Sequence, residues 1–141
     1  MNNYTIRKLG LKTGLYICSS FILLFLLVLT FNYKYNIILA SFFFLLLFFW
    51  IYIAVYSYRL NAENGFKLIH GMALGCLSTG TGLTLFGVFL VLFSYGIDSE
   101  FLTRNVGNVG LTTALLCVIS FGMLAGCLFS LFLMQFKKRV N

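Results

Sequence analysis

The chain has 141 residues, of which 61% are hydrophobic and 9% charged, with no proline. A soluble domain carries about 25% charged residues, so a water-covered globule is excluded, and the length predicts a single domain over 1–141. The net charge of +7 does not point to nucleic acid, because the basic residues sit in short gaps between long apolar runs, as membrane anchors and topology signals do.

Four charge-free runs follow one another: 13–33, 35–58, 68–97 and 105–136. Each reaches the roughly 20 residues that a helix needs to cross the hydrocarbon core. None alternates with period two, so the runs predict helices and not barrel strands. The expected fold class is therefore an all-α membrane protein with four transmembrane helices, near 14–32, 36–57, 68–95 and 106–134. The first follows a basic N-terminus and is not trailed by a small-x-small cleavage site, so it is read as a retained span. The second, with SFFFLLLFFWIYIAVY, is the most apolar.

Basic residues in short loops set orientation. Arg7, Lys8, Lys12, Arg59, Lys67, Lys137, Lys138 and Arg139 fall on one side, and only Lys34 and Arg104 on the other. Both termini are expected in the cytoplasm of a multi-pass membrane protein. Tyr16, Tyr56 and Tyr58 near one boundary, and Tyr33, Tyr35 and Tyr95 near the other, agree with the interfacial preference of amphipathic rings.

The two halves differ in texture. No glycine occurs between Leu15 and Asn64, whereas eleven of the thirteen glycines lie between Gly65 and Gly126. Small residues let helix backbones approach closely in lipid. Gly71, Gly75, Thr79 and Gly82 share a face of the third span, and Gly110, Ala114, Gly122, Gly126 and Ser130 form a ridge on the fourth. These two spans are expected to pack on each other, with the bulky first two around them or facing lipid. At about 28 residues, a helix rises roughly 42 Å against roughly 30 Å of hydrocarbon, so the long third span must tilt, protrude or bend. Its Ser78–Gly82 cluster is the expected bend, since Gly/Ser groups are a recognised cause of kinks.

The candidate polar site is Ser78, Thr79, Thr81 and Thr84, with Thr112 and Thr113 on the fourth span as possible facing partners. Gly-interrupted helices of transporters expose backbone and hydroxyls in this way. The competing reading is that the hydroxyls bond back to their own helix. A continuous polar stripe favours transport and an isolated cluster favours packing; Phe86, Val88 and Phe89 after the cluster lean to packing. His70 is expected as an interfacial residue bonded to water, headgroup or a carbonyl. Cys18, Cys76, Cys117 and Cys127 all lie in apolar runs and read as packing residues. Cys18, Cys76 and Cys127 fall at similar depth, but nothing supplies the close local pairs of a structural metal site. No metal or cofactor is expected.

No carboxylate lies inside any span, which argues against a proton-coupled exporter. No soluble segment holds a catalytic scaffold, and no nucleophile–base pair is visible, so an enzyme is not expected.

Lys12-Thr13-Gly14-Leu15 at the first span, and YRLNAENGFKLIHGMALG across the second loop with Tyr58-Arg59, Asn64-Gly65 and Gly75 as fixed points, resemble a family of small four-helix inner-membrane proteins of unknown function, frequent in one group of Gram-negative bacteria. A paired glycine of that pattern is here Asn64-Gly65. The resemblance implies an architecture and a bacterial inner membrane, and no mechanism. The leading expectation is a scaffold or accessory subunit that contacts the lipid bilayer and forms a homo-oligomer or part of a larger membrane complex. The alternative is a small oligomeric transporter or channel using the hydroxyl-rich middle of the third helix.

Overall fold

A computed structural model describes residues 3–31, 37–61, 68–97, 100 and 111–136. They form four α-helices: α1 (Asn3–Thr30), α2 (Ile37–Asn61), α3 (Leu68–Gly96) and α4 (Leu111–Phe136). No strand occurs among the described residues. Each helix contains a stretch long and apolar enough to cross a membrane: Thr5–Thr30, Ile38–Leu60, Leu68–Gly96 and Thr113–Gln135. The expected all-α, four-span architecture is what the structure has.

Two boundaries differ from expectation. Helix α1 begins at Asn3 instead of near 14, and α2 runs to Asn61 past Arg59. Charge ends a hydrocarbon span but not a helix, because Arg and Lys are good helix formers. Arg7, Lys8 and Lys12 simply project outward from α1. Residues 106–110 of the expected fourth span, Gly110 among them, lie outside the described residues.

Helix α3 is the centre, packed most extensively against α1 and α4, with α2 laid across all three. The expected partnership of α3 with α4 is only half of this arrangement. Helix α1 meets α3 through its own small residues, Gly10 and Gly14, a G-x-x-x-G pair set among the basic residues. A methyl added at Gly10 would lie 2.7 Å from Leu77 Cδ2, and one at Gly14 would lie 2.9 Å from Thr81 Cβ and 3.1 Å from the Ser78 carbonyl. Gly82 reciprocates, with Ile17 Cγ2 2.8 Å and the Gly14 carbonyl 3.1 Å from its would-be Cβ. Glycine is required at these points because side chains would hold the backbones apart. The register shows that α1 and α3 run parallel, Gly10 level with Leu77 and Ile17 with Gly82.

Helices α3 and α4 run antiparallel: Gly71 lies on Met134, Gly75 on Ser130 and Gly126, Gly126 on Thr79, Gly122 on Leu83, and Gly87 on Leu115. The start of α1, the start of α3 and the end of α4 thus share one end of the bundle, hereafter the termini end. Helix α2 buries Leu47, Ile51, Ala54 and Tyr58 at spacings of four, three and four, a coiled-coil-like seam.

Towards the far end the small residues give way to rings. Phe21 and Phe25 of α1 meet Phe43 of α2 and Phe86, Phe89 and Phe93 of α3, mostly edge to face, with centroids 4.9–6.3 Å apart. Nearer the termini end, Phe48 of α2 lies 4.4 Å from Phe129 of α4. Edge-to-face pairs suit the ring quadrupoles, and rings fill the space where the helices lack glycine contacts.

Candidate functional site

The hydroxyl cluster sits midway along α3, on an uninterrupted α-helix. The helix runs unbroken through Ser78–Gly82, the stretch where a bend is expected. Thr79 Oγ1 donates to the Gly75 carbonyl at 2.8 Å, Thr81 to Leu77 at 2.7 Å and Thr84 to Gly80 at 2.7 Å. Each hydroxyl is thus spent four residues back on its own helix, a habit of Ser and Thr in apolar helices. The glycines between them carry neighbours: Gly82 takes α1, while Gly80 faces Met123 of α4, whose Cε would lie 3.3 Å from an added methyl. Packing from both sides holds the helix through its weakest stretch.

The cluster does not act as one face. Thr79 lies under Gly126 of α4, and Thr81 under Gly14 of α1. Thr84 is exposed, as is Thr113, and Ala114 is half-buried. The face predicted to join Gly71, Gly75, Thr79 and Gly82 is likewise divided, because Gly82 turns to α1. Ser78 is different. It is fully buried, and among the described residues its Oγ has no hydrogen-bond partner; the same holds for Ser130 Oγ on α4. Ser130 stands against Gly75. A buried hydroxyl without a partner costs roughly 1–3 kcal/mol, and among the described residues these two are the buried side-chain polar atoms that have none.

His70 is not a lone interfacial residue. Its Nδ1 lies 2.9 Å from the hydroxyl of Tyr58, whose side chain is 1% exposed. The pair joins the end of α2 to the start of α3 across the second loop. Sequence reasoning placed Tyr58 only at the membrane boundary; the one available signal was its position, three turns from Leu47 on the buried seam of α2. Among the described residues, no three His, Cys, Asp or Glu side chains come together.

The cysteines divide as well. All four are free. Cys18 follows Ile17, which packs on Gly82, so it stands well beyond Cys76 along α3. Cys76 and Cys127 belong to the α3–α4 seam, where Cys127 Sγ donates to the Met72 carbonyl at 3.9 Å. Cys117 is exposed. Near the far end, α3 and α4 leave an open groove of about 250 Å³, lined by Gly87, Val88, Val91, Leu92, Leu115 and Ile119 beside Thr84. Its lining is almost wholly apolar, and the Thr84 hydroxyl is already bonded.

No protein family, curated protein or solved structure matches the chain.

Proposed function

We propose that this is a non-enzymatic inner-membrane protein, with both termini cytoplasmic, that serves as a scaffold or accessory subunit by associating with itself or with a larger membrane assembly. The observation that carries this reading is the disposition of polar groups. The threonines of α3 bond inward to their own helix, while hydroxyl-bearing rings stand on the outside of α1 and α2. Tyr16, Tyr52 and Tyr56 are all close to half exposed. Tyr16 stacks on Trp50 at 4.9 Å, and Tyr52 on Tyr56 at 6.4 Å. Tyr is enriched wherever one side of a ring is apolar and the other meets a polar partner.

Native mass measurement after extraction in mild detergent tests association. Recovery of the lone chain under all mild conditions would reject it. Orientation is tested separately: an impermeant thiol reagent on spheroplasts should label a cysteine placed at Ser99, and not one at Asn61 or Asn141.

The second reading, a small oligomeric transporter or channel, draws its support from Ser78 and Ser130, whose free hydroxyls are the kind a water or solute inside the bundle would use. Flux in proteoliposomes that is lost on Ser78→Ala with Ser130→Ala, with the fold intact, would favour it over the scaffold.

A further inference from the structure

We propose that the α3–α4 seam is a binding site for a soft monovalent metal cation of the copper(I) class, with Cys76 and Cys127 as thiol ligands and Met72 and Met123 as thioether ligands. No metal is suggested by the spacing of His and Cys in the sequence, and the proposal rests on what antiparallel packing brings together.

Helices α3 and α4 touch backbone to backbone at Gly75 and Gly126: a methyl added to Gly75 would lie 2.6 Å from the Gly126 carbonyl oxygen. One residue further along, each helix turns its side chain by about 100°. In an antiparallel pair those two turns point to the same side of the seam. The residues are Cys76 and Cys127. The Cys127 thiol reaches the Met72 carbonyl at 3.9 Å, and that carbonyl is the one that accepts the Cys76 N–H within the helix. The two thiols are therefore neighbours across the seam.

The same spacing is repeated on both helices. Met72 precedes Cys76 by four residues, and Met123 precedes Cys127 by four, so each pair shares a helix face. Met123 lies over Gly80, one turn beyond Cys76. Met134 adds a further thioether at the termini end, over Gly71. Five of the eight Met and Cys residues in the chain thus flank one seam. All four proposed ligands are half-buried, shielded yet not sealed, and the row opens about one turn above Leu68.

The donor set selects the cation. Thiolate and thioether sulfur favour copper(I) over hard divalent ions, and a structural zinc site would need four N/S donors of which thioethers are not members. Charge selects the protonation state. One thiol loses its proton on binding, forming one sulfur–metal bond and releasing one H⁺ to solvent. The second sulfur donors add lone pairs and keep their substituents. The cation stays at +1, no electron moves, and the complex is neutral, which costs least beside hydrocarbon.

The test uses the full chain in detergent, titrated with silver(I), which has the same charge and filled d shell and needs no reductant. Wild type should bind about one silver per chain with release of about one proton, and X-ray absorption should show sulfur as the only neighbour. Cys76→Ser with Cys127→Ser should abolish binding, and Met72→Leu with Met123→Leu should weaken it. Cys18→Ser with Cys117→Ser should leave it unchanged. If the Cys76/Cys127 variant misfolds, the wild-type coordination and the methionine variant decide. Absence of binding by wild type, nitrogen or oxygen neighbours, binding that survives loss of both seam thiols, or equal loss in the Cys18/Cys117 variant would overturn the site.

Discussion

At the scale of single residues, the glycines of this bundle are unequal, and space alone ranks them. A side chain at Gly14 meets the Thr81 Cβ and the Ser78 carbonyl, neither of which can swing aside. Gly14→Leu should therefore lower the thermal midpoint in detergent clearly, as overpacking costs roughly 1–3 kcal/mol. Gly80→Ala meets only the flexible tip of Met123 and removes a helix-weakening glycine, worth roughly 1 kcal/mol in water-based scales. Its midpoint should hold or rise. Tyr58 and His70 offer a second test. Their hydrogen bond predicts that Tyr58→Phe and His70→Leu are non-additive, with a coupling of about 0.5–1.5 kcal/mol in a double-mutant cycle. Additive effects would mean that the contact does not hold α2 to α3.

At the scale of elements, the helices were legible because a charge-free run of sufficient length has few alternatives in lipid. Their partnerships were less so. The small-residue faces of the third and fourth spans can be read by counting fours. The contribution of α1 was hidden because Gly10 stands among Arg7, Lys8 and Lys12, in a stretch that charge alone assigns to a tail, and Gly14 opens the first span as an isolated glycine. The pairing of Tyr58 with His70, and of Cys76 with Cys127, depends on register between helices, which no single-helix pattern contains. The hydroxyl cluster shows the opposite case. Its threonines bond locally, as their helix context allows, and Thr79→Val or Thr81→Val should change stability little because each replaces a self-satisfied hydroxyl. Ser78→Ala and Ser130→Ala should leave the thermal midpoint unchanged or raise it if nothing occupies the interior. A fall in both would show that a water or solute uses those hydroxyls.

At the scale of the whole molecule, the register of α1 on α3 fixes more than a contact. Lys12 lies between Gly10 and Gly14, so it is level with the stretch of α3 from Leu77 to Thr81, well above the start of that helix at Leu68. Lys12 is exposed, and a lysine there can hold its ammonium in the headgroups by pointing its stem towards the helix start. A helix of 29 residues rises about 43 Å, which exceeds the hydrocarbon by roughly 13 Å. The position of Lys12 predicts that this surplus falls on one side. The expected arrangement is a bilayer set off-centre, with the first turns of α1 and α3 and the last turns of α4 outside it as a low helical collar. Trp50, the one tryptophan, reports on this directly. Its indole donates to Ser20 at 2.8 Å and stacks on Tyr16, little more than a turn beyond Lys12 along α1. Its fluorescence should be quenched most by lipids brominated close to the headgroup. A centred bilayer would instead give the strongest quenching from bromines deep in the chains. A collar of this kind would present Tyr58, His70 and the opening of the sulfur row at the water boundary, where soluble molecules can reach them.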